Sequence, residues 1–205
     1  MTHTKHYKNE QTFIILKPDA IQRSLVGEII GRLERVGLKM VALKMVIPEA
    51  DLVAKHYTID PEWKRKAGEK AISKYVSKGM TPPEADPVKV GNNVLENLKN
   101  YMSSGPVVAM IWQGAHAVPL VRKLVGATEP LSSDVGTIRG DFVLDSYEMS
   151  DADGRSIRNI IHASGNVAEA EQEIALWFKP EDVLDYRHIQ EEIIYSLTFK
   201  GTDNK

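Results

Sequence analysis

The stretch Asn159-Ile-Ile-His162-Ala-Ser-Gly-Asn166-Val joins a short apolar run to the start of a helix. Asn166 with Glu169 three residues later resembles a capping box. Apolar residues then recur on one face at helical spacing, at Val167, Ala170, Ile174, Trp177 and Phe178. An imidazole at such a strand end has a ring nitrogen beside a helix N-terminus, which is a natural anion site. The alternative is a histidine that only fills a polar hole at the sheet edge.

Three further apolar runs precede this one, and their pattern predicts strands. They are Thr12–Leu16, Leu38–Ile47 and Pro106–Trp112. Helical spacing of apolar residues runs from Ile21 to Val36 and again from Val118 to Val125, with a shorter helix at about 48–57. With the short helix set aside, this order predicts an α/β (α+β) fold, a ferredoxin-like βαββαβ sandwich with a four-stranded antiparallel sheet and helices on one face.

Composition excludes several classes of protein. The chain has 26 Lys and Arg against 28 Asp and Glu, a formal net charge of −2, so bulk charge does not favour a nucleic-acid or anionic-membrane partner. Without cysteine there are no disulfides, thiolate metal sites or cysteine nucleophile. No apolar run is long enough to span a bilayer or act as a leader, and we expect a cytoplasmic protein.

The usual glycine-rich phosphate loops are missing from the chain, so phosphate binding would have to come from side chains. Lys17 follows the first strand, Arg122 lies in the helix after the third strand, and Arg139 lies in the stretch 136–141. Guanidinium groups give forked contacts to phosphate oxygens, and lysine gives a point charge. Each cation alone would more commonly lie on a solvated face, and Thr128 and Asn159 alone would be turn or strand-end residues.

Taken together, a series of motifs resembles the nucleoside diphosphate kinase family from about Thr12 to Tyr195. In order they are Thr12-Phe-Ile-Ile-Leu-Lys17-Pro-Asp19, Leu25-Val-Gly-Glu-Ile-Ile30, His56-Tyr57, Ser104-Gly-Pro-Val-Val-Ala-Met110, Gly136-Thr-Ile-Arg139-Gly-Asp-Phe142, Asn159-Ile-Ile-His162 and Leu176-Trp-Phe-Lys-Pro-Glu181. The resemblance implies a ping-pong phosphotransferase. The γ-phosphate of a nucleoside triphosphate would move to His162 and then to a nucleoside diphosphate.

The resemblance also implies roles for individual residues. Lys17 would contact the phosphates and the sugar 3′-hydroxyl, and Asn159 would contact the ribose. Arg122, Thr128 and Arg139 would hold the β- and γ-phosphates, and Tyr57 would pack near the transferred group. Glu173 would bind the ring nitrogen of His162 that does not attack, although the sequence alone favours an ordinary glutamate on the helix surface. Ser164 is either a turn residue or a hydroxyl that supports the site. Mg²⁺ would be bound through the nucleotide phosphates, and the protein would be a homo-oligomer, a hexamer or tetramer built from dimers.

Two segments depart from the family pattern, and we treat residues 1–205 as a single domain with insertions at about 60–100 and 145–158. The first replaces a link that carries the aromatic residue stacking on the base, so Trp63 and Tyr75 are open candidates for that role. We expect its basic part, Lys64 to Lys78, to lie beside the nucleotide cleft, the alternative being a solvated helix. The second contains Asp151-Ala-Asp153-Gly154, which we interpret as a turn because other calcium ligands are missing.

Two other functions remain open at this point. A relative of the same fold could bind nucleotides without catalysis, and binding without phosphohistidine formation would identify it. A single-stranded nucleic-acid binder is disfavoured by the charge balance and by the lack of aromatic stacking residues on the predicted strands.

Overall fold

The centre of the fold is a four-stranded antiparallel sheet. The computed structural model describes residues 7–77, 79 and 81–197. The sheet order is β2-β3-β1-β4, and each neighbouring pair is antiparallel. The strands are β1 (Glu10–Leu16), β2 (Lys39–Val46), β3 (Val107–Gly114) and β4 (Ile161–Ala163). The predicted ferredoxin-like βαββαβ arrangement is confirmed.

Helices connect the strands and extend the chain beyond them. They are α1 (Pro18–Gln22), α2 (Val26–Arg35), α3 (Ala50–Tyr57), α4 (Trp63–Ser77), α5 (Pro87–Met102), α6 (Ala117–Val125), α7 (Ile138–Phe142), α8 (Tyr147–Ala152), α9 (Val167–Trp177) and α10 (Ile189–Ile194). No helix in the described ranges combines the length and the apolar content that a bilayer span requires.

Helices cover both faces of the sheet, so the prediction of helices on one face was wrong. Successive side chains of a strand point to opposite faces. In β1, Ile14 therefore belongs to one apolar cluster and Ile15 to another. The Ile14 cluster takes in residues of α2 and α6, and the Ile15 cluster takes in residues of α3, the end of α5, and α9. Because β1 is buried over its last five residues, its sequence is apolar without alternation, and periodicity alone could not reveal the second helical layer.

The predicted helix from Ile21 to Val36 is two helices. Ser24 has a positive φ of 56°, which ends α1 before α2 begins at Val26. Apolar side chains on both sides of this break pack against the same cluster, and this is why helical spacing runs through it in the sequence. The predicted capping box at the start of α9 is half formed: the Asn166 side chain accepts from the backbone N–H of Glu169 at 2.9 Å, without the reciprocal bond.

Helices α4 and α5 form a hairpin whose backbones touch. A Cβ added at Gly68 would lie 1.8 Å from the carbonyl oxygen of Pro87, and one added at Gly91 would lie 1.9 Å from that of Lys64. One glycine on each helix thus permits an approach that no side chain would allow. The predicted turn at Asp153-Gly154 is also present, with Gly154 at a φ of 61° two residues after the end of α8.

Candidate active site

A short strand preceded by strained backbone holds His162. Ile160 has a positive φ of 50°, which is an outlier for a β-branched residue. Its N–H lies 3.3 Å from the Asp19 carboxylate, and its carbonyl accepts from the N–H of Lys17 at 2.8 Å. In β4, His162 pairs with Ile15, so both side chains point to the sheet face that α3 and α9 cover. The imidazole is therefore fixed by backbone on one side and by helices on the other.

One ring nitrogen of His162 is held by a buried carboxylate. Its Nε2 lies 2.6 Å from Oε1 of Glu173, a residue of α9 that is 2% exposed. The other carboxylate oxygen of Glu173 accepts from Ser164 Oγ at 2.5 Å, and Ser164 Oγ accepts from the Phe13 N–H at 3.2 Å. Burial raises the pKa of Glu173. With Nε2–H donated to Glu173, the lone pair of Nδ1 is left for the cavity.

His56 is a buried part of this site that the sequence reasoning missed. Its ring lies edge-on to that of His162, with centroids 4.5 Å apart, and its Nδ1 accepts from Trp177 Nε1 at 3.4 Å. Burial is the main cause that lowers its pKa to about 3. Its Nε2 is buried without a hydrogen-bond partner in the described part of the chain. The position of His56 three residues after the buried Val53 was a usable signal, because both fall on one face of α3.

The side chains of His56, His162 and Glu173 are also of the types that bind metal ions. Within the described ranges, His56, His162 and Glu173 have ligand atoms within 4.8 Å of one another, close enough to hold a metal ion. The Glu173 carboxylate already accepts hydrogen bonds from His162 and Ser164. Hydrogen bonding therefore accounts for the cluster as it stands.

A cavity of about 500 Å³ lies beside His162 and gathers most of the predicted site residues. The predicted residues that line it are Lys17, Tyr57, Arg122, Thr128, Arg139, Asn159 and His162. Glu173 and Ser164 lie behind His162, in contact with its ring or with each other. The structure thus brings all the predicted residues to one place, although Lys17 and Asn159 alone are separated by 142 positions in the chain.

Lys17 and Asn159, which both line the cavity, form a hydrogen bond with each other. Lys17 Nζ donates to Asn159 Oδ1 at 2.7 Å, and Asn159 Nδ2 donates to the carbonyl oxygen of Thr128 at 2.9 Å. Burial and the charge of Arg139 lower the pKa of Lys17 to about 7. The lysine is therefore only partly charged near neutral pH, and a bound anion would favour its charged form.

The two arginines differ in how tightly the protein holds them. Arg139 is 4% exposed and donates to four backbone carbonyls, those of Gly126, Ala127, Asn159 and Ile161. Burial and the charge of Arg122 lower its pKa to about 10. Arg122 is exposed, and its one described hydrogen bond is a 3.5 Å contact with the carbonyl oxygen of Ala163. Arg122 is consequently the more adjustable of the two cations.

Helix α4 forms another wall of the cavity, so the prediction that the basic segment lies beside the cleft is confirmed for three of its lysines, whereas Lys64 is not among the lining residues. Lys66, Lys70 and Lys74 line the cavity, whereas Lys78 lies outside the described residues. Of the two aromatic candidates, Trp63 lines the cavity, with its ring centroid 5.6 Å from that of Tyr57. Tyr75 is not among the lining residues.

The charges around His162 keep its imidazole neutral. Burial, followed by the charges of Lys17, Arg139 and Arg122, holds the pKa of His162 well below its usual value. A neutral imidazole with a free nitrogen is a nucleophile near pH 7. Cations around the same cavity suit the negative oxygens of a transferring phosphoryl group.

Comparison with known proteins agrees with this chemistry. The family model described as nucleoside diphosphate kinase matches residues 10–81 and 87–183. A nucleoside diphosphate kinase of Pyrobaculum aerophilum is 47% identical over 180 residues, covering 86% of this chain and 98% of the relative.

Solved structures show the same relationship. The crystal structure of an NDP kinase from Pyrobaculum aerophilum matches with a TM-score of 0.83 at 46% identity, covering 86% of this chain and 100% of that one. A transition-state mimic of the Borrelia burgdorferi nucleoside-diphosphate kinase, with bound vanadate and ADP, matches with a TM-score of 0.75 at 37% identity, covering 93% and 99%. The chain therefore belongs to the nucleoside diphosphate kinase family, whose members are phosphotransferases.

Proposed function

We propose that His162 carries the phosphoryl group in a ping-pong reaction between nucleoside triphosphates and diphosphates. The observation that carries this proposal is that the two ring nitrogens have different surroundings. Nε2 is hydrogen-bonded to Glu173, and Nδ1 is available to a cavity lined by Lys17, Arg122 and Arg139. A histidine with a purely structural role would not require an unbonded ring nitrogen beside three cationic side chains.

In the first half-reaction, the Nδ1 lone pair attacks the γ-phosphorus, a N–P bond forms, and the P–O bond to the β-phosphate breaks. The nucleoside diphosphate leaves with that oxygen. Positive charge develops on the ring, and the Glu173 carboxylate stabilises it through Nε2–H. In the second half-reaction, a terminal oxygen of another diphosphate attacks the phosphorus of the phosphohistidine, a P–O bond forms, and the N–P bond breaks to restore neutral His162.

The cavity residues would position the nucleotide. Arg122, Thr128 and Arg139 would hold the β- and γ-phosphates, Lys17 would contact the phosphates and the 3′-hydroxyl, and Asn159 would contact the ribose. Tyr57 would pack beside the transferred group. Trp63 is the aromatic residue of α4 on the cavity wall, and we assign base stacking to it.

Mg²⁺ would be held through the nucleotide phosphates. Asp151 and Glu169 are the carboxylates among the described lining residues, which is too few for a cage made by protein alone. When bound, the ion neutralises phosphate oxygens. The proposal also includes a single domain with insertions at about 60–100 and 145–158, a cytoplasmic location, and a homo-oligomer, a hexamer or tetramer built from dimers.

Labelled ATP tests the central step. We expect an acid-labile phosphoprotein that discharges onto nucleoside diphosphates and is absent in His162→Ala. His116→Ala is a matched control, because His116 lies outside the cavity lining and should leave labelling intact. Labelling that persists in His162→Ala would refute the assignment.

A further inference from the structure

Three lysines of α4 occupy successive turns of the helix on the cavity wall. Lys66, Lys70 and Lys74 are spaced by four residues, and side chains with that spacing share a helix face. Ala67 and Ala71 lie between them and also line the cavity. The small alanine side chains leave space beside the ammonium groups, so this face is open to a ligand as well as basic.

The three lysines differ in their existing partners. Lys66 Nζ lies 2.6 Å from the Asp60 carboxylate, and Lys74 Nζ lies over the ring of Tyr147 in α8. Lys70 makes no ion pair or side-chain hydrogen bond with any residue in 7–77, 79 and 81–197. Lys70 is therefore the cation on this wall that is most available to an incoming anion.

The cavity as a whole is strongly basic, although the chain carries a net charge of −2. Its lining includes the carboxylates of Asp151 and Glu169 among a larger group of cationic residues, which are Lys17, Lys66, Lys70, Lys74, Arg122, Arg139 and Arg155. Clefts lined by one sign of charge focus their field and concentrate ligands of the opposite sign. Lys66, Lys70 and Lys74 add positive charge on the α4 wall of the cavity, which Lys17, Arg122 and Arg139 do not reach because they lie on other elements.

We propose that Lys66, Lys70 and Lys74 bind the polyphosphate chain of the substrate, and that Lys70 makes the free site favour a nucleoside triphosphate over a diphosphate. The inference rests on the proposed function and adds a specificity determinant to it. A triphosphate carries one more anionic group than a diphosphate, so an additional cation beside the chain stabilises the triphosphate more. The basic wall thereby promotes the half-reaction that loads His162.

Binding measurements on the full-length chain test the proposal. Isothermal titration with Mg²⁺ would compare the β,γ-imido analogue of ATP with ADP. We expect Lys70→Gln to weaken binding of the analogue about fivefold and binding of ADP by less than about twofold, as for loss of one exposed ion pair. Inorganic tripolyphosphate, which has no base or sugar, should compete with the analogue for wild type and compete more weakly for Lys70→Gln.

Lys64→Gln is the matched control, because it removes the same charge from α4 at a position outside the cavity lining. It should leave both affinities unchanged, and Lys70→Arg should retain the preference. In steady state, Lys70→Gln should raise KM for ATP and leave kcat unchanged. Equal weakening of both nucleotides, or an equal effect of Lys64→Gln, would overturn the proposal. Failure of wild type to form a phosphohistidine would instead refute the proposed function.

Discussion

His162 Nε2 lies 2.6 Å from Oε1 of Glu173, and that contact decides which ring nitrogen faces the cavity. Because Glu173 is buried and also accepts from Ser164, the carboxylate has little freedom to move. The imidazole is thus pre-oriented before a nucleotide arrives, which lowers the cost of reaching the geometry for attack.

Glu173→Gln tests this orientation. The amide oxygen can still accept from Nε2–H, but it lacks the charge that stabilises a positive ring. We expect the rate of phosphohistidine formation to fall by about tenfold to a hundredfold, with a smaller change in nucleotide affinity. Rapid-quench labelling would measure the rate. Glu181→Gln, an exposed residue after α9, should behave as wild type, and an unchanged rate in Glu173→Gln would contradict the role.

The pKa of about 7 for Lys17 predicts that nucleotide binding depends on pH. Lysine is charged below its pKa, so ADP affinity should be highest near pH 6 and decline as the pH rises through 7. Above pH 7 the decline approaches about tenfold per pH unit if one proton is linked to binding. Titration calorimetry across this range would measure it. Lys17→Gln should bind more weakly at pH 6 and show a flatter profile, and an identical slope would count against Lys17 as the titrating group.

His56 predicts a loss of stability in acid. Its folded pKa of about 3 lies below the usual 6.5, so between these values the unfolded chain binds a proton that the folded chain does not. Stability is fully present above pH 6.5 and declines below it. We expect the loss of unfolding free energy from pH 7 to pH 5 to be about 2 kcal/mol smaller in His56→Gln than in wild type. Urea denaturation at both values would show the difference, and an equal loss in the two proteins would contradict it.

Gly68→Ala should disrupt the α4–α5 hairpin, because the new methyl group would lie 1.8 Å from the Pro87 carbonyl oxygen. We expect faster hydrogen exchange in α4 and weaker nucleotide binding, with the sheet protected as before. Gly31→Ala is the contrasting control, since nothing lies within 4 Å of its added Cβ in α2. It should stabilise the fold by up to about 1 kcal/mol through helix propensity. Unchanged hydrogen exchange of α4 in Gly68→Ala would contradict the prediction, because it would show that the hairpin stays folded without the close backbone contact.

The sequence predicted the sheet well because its strands are dense apolar runs. It predicted the site through motifs that keep their order along the chain. It missed the break at Ser24, since the apolar spacing that packs α1 and α2 on one cluster continues across that residue. Local pattern also gave no warning of the positive φ at Ile160, because that conformation depends on partners at Lys17 and Asp19, far away in the chain.

His56 shows a different limit of sequence reasoning. A histidine beside Tyr57 in a helix carries no sign of its neighbours on α9, and its ring meets His162 and Trp177 only once the helices pack on the sheet. The hydrogen bonds of Arg139 to backbone carbonyls are similarly invisible, because a carbonyl has no sequence signature. Contacts of this kind depend on tertiary structure.

The touching backbones at Gly68 and Gly91 have a consequence for the cavity wall that α4 and α5 form. Main chain sets the separation of α4 and α5, so side-chain exchange between the two helices cannot widen or narrow the wall that they form. A ligand that needs a wider cavity would therefore require movement of a lining side chain or of both helices together. The two glycines thus act as a fixed spacer, and main chain sets the position of this side of the cavity.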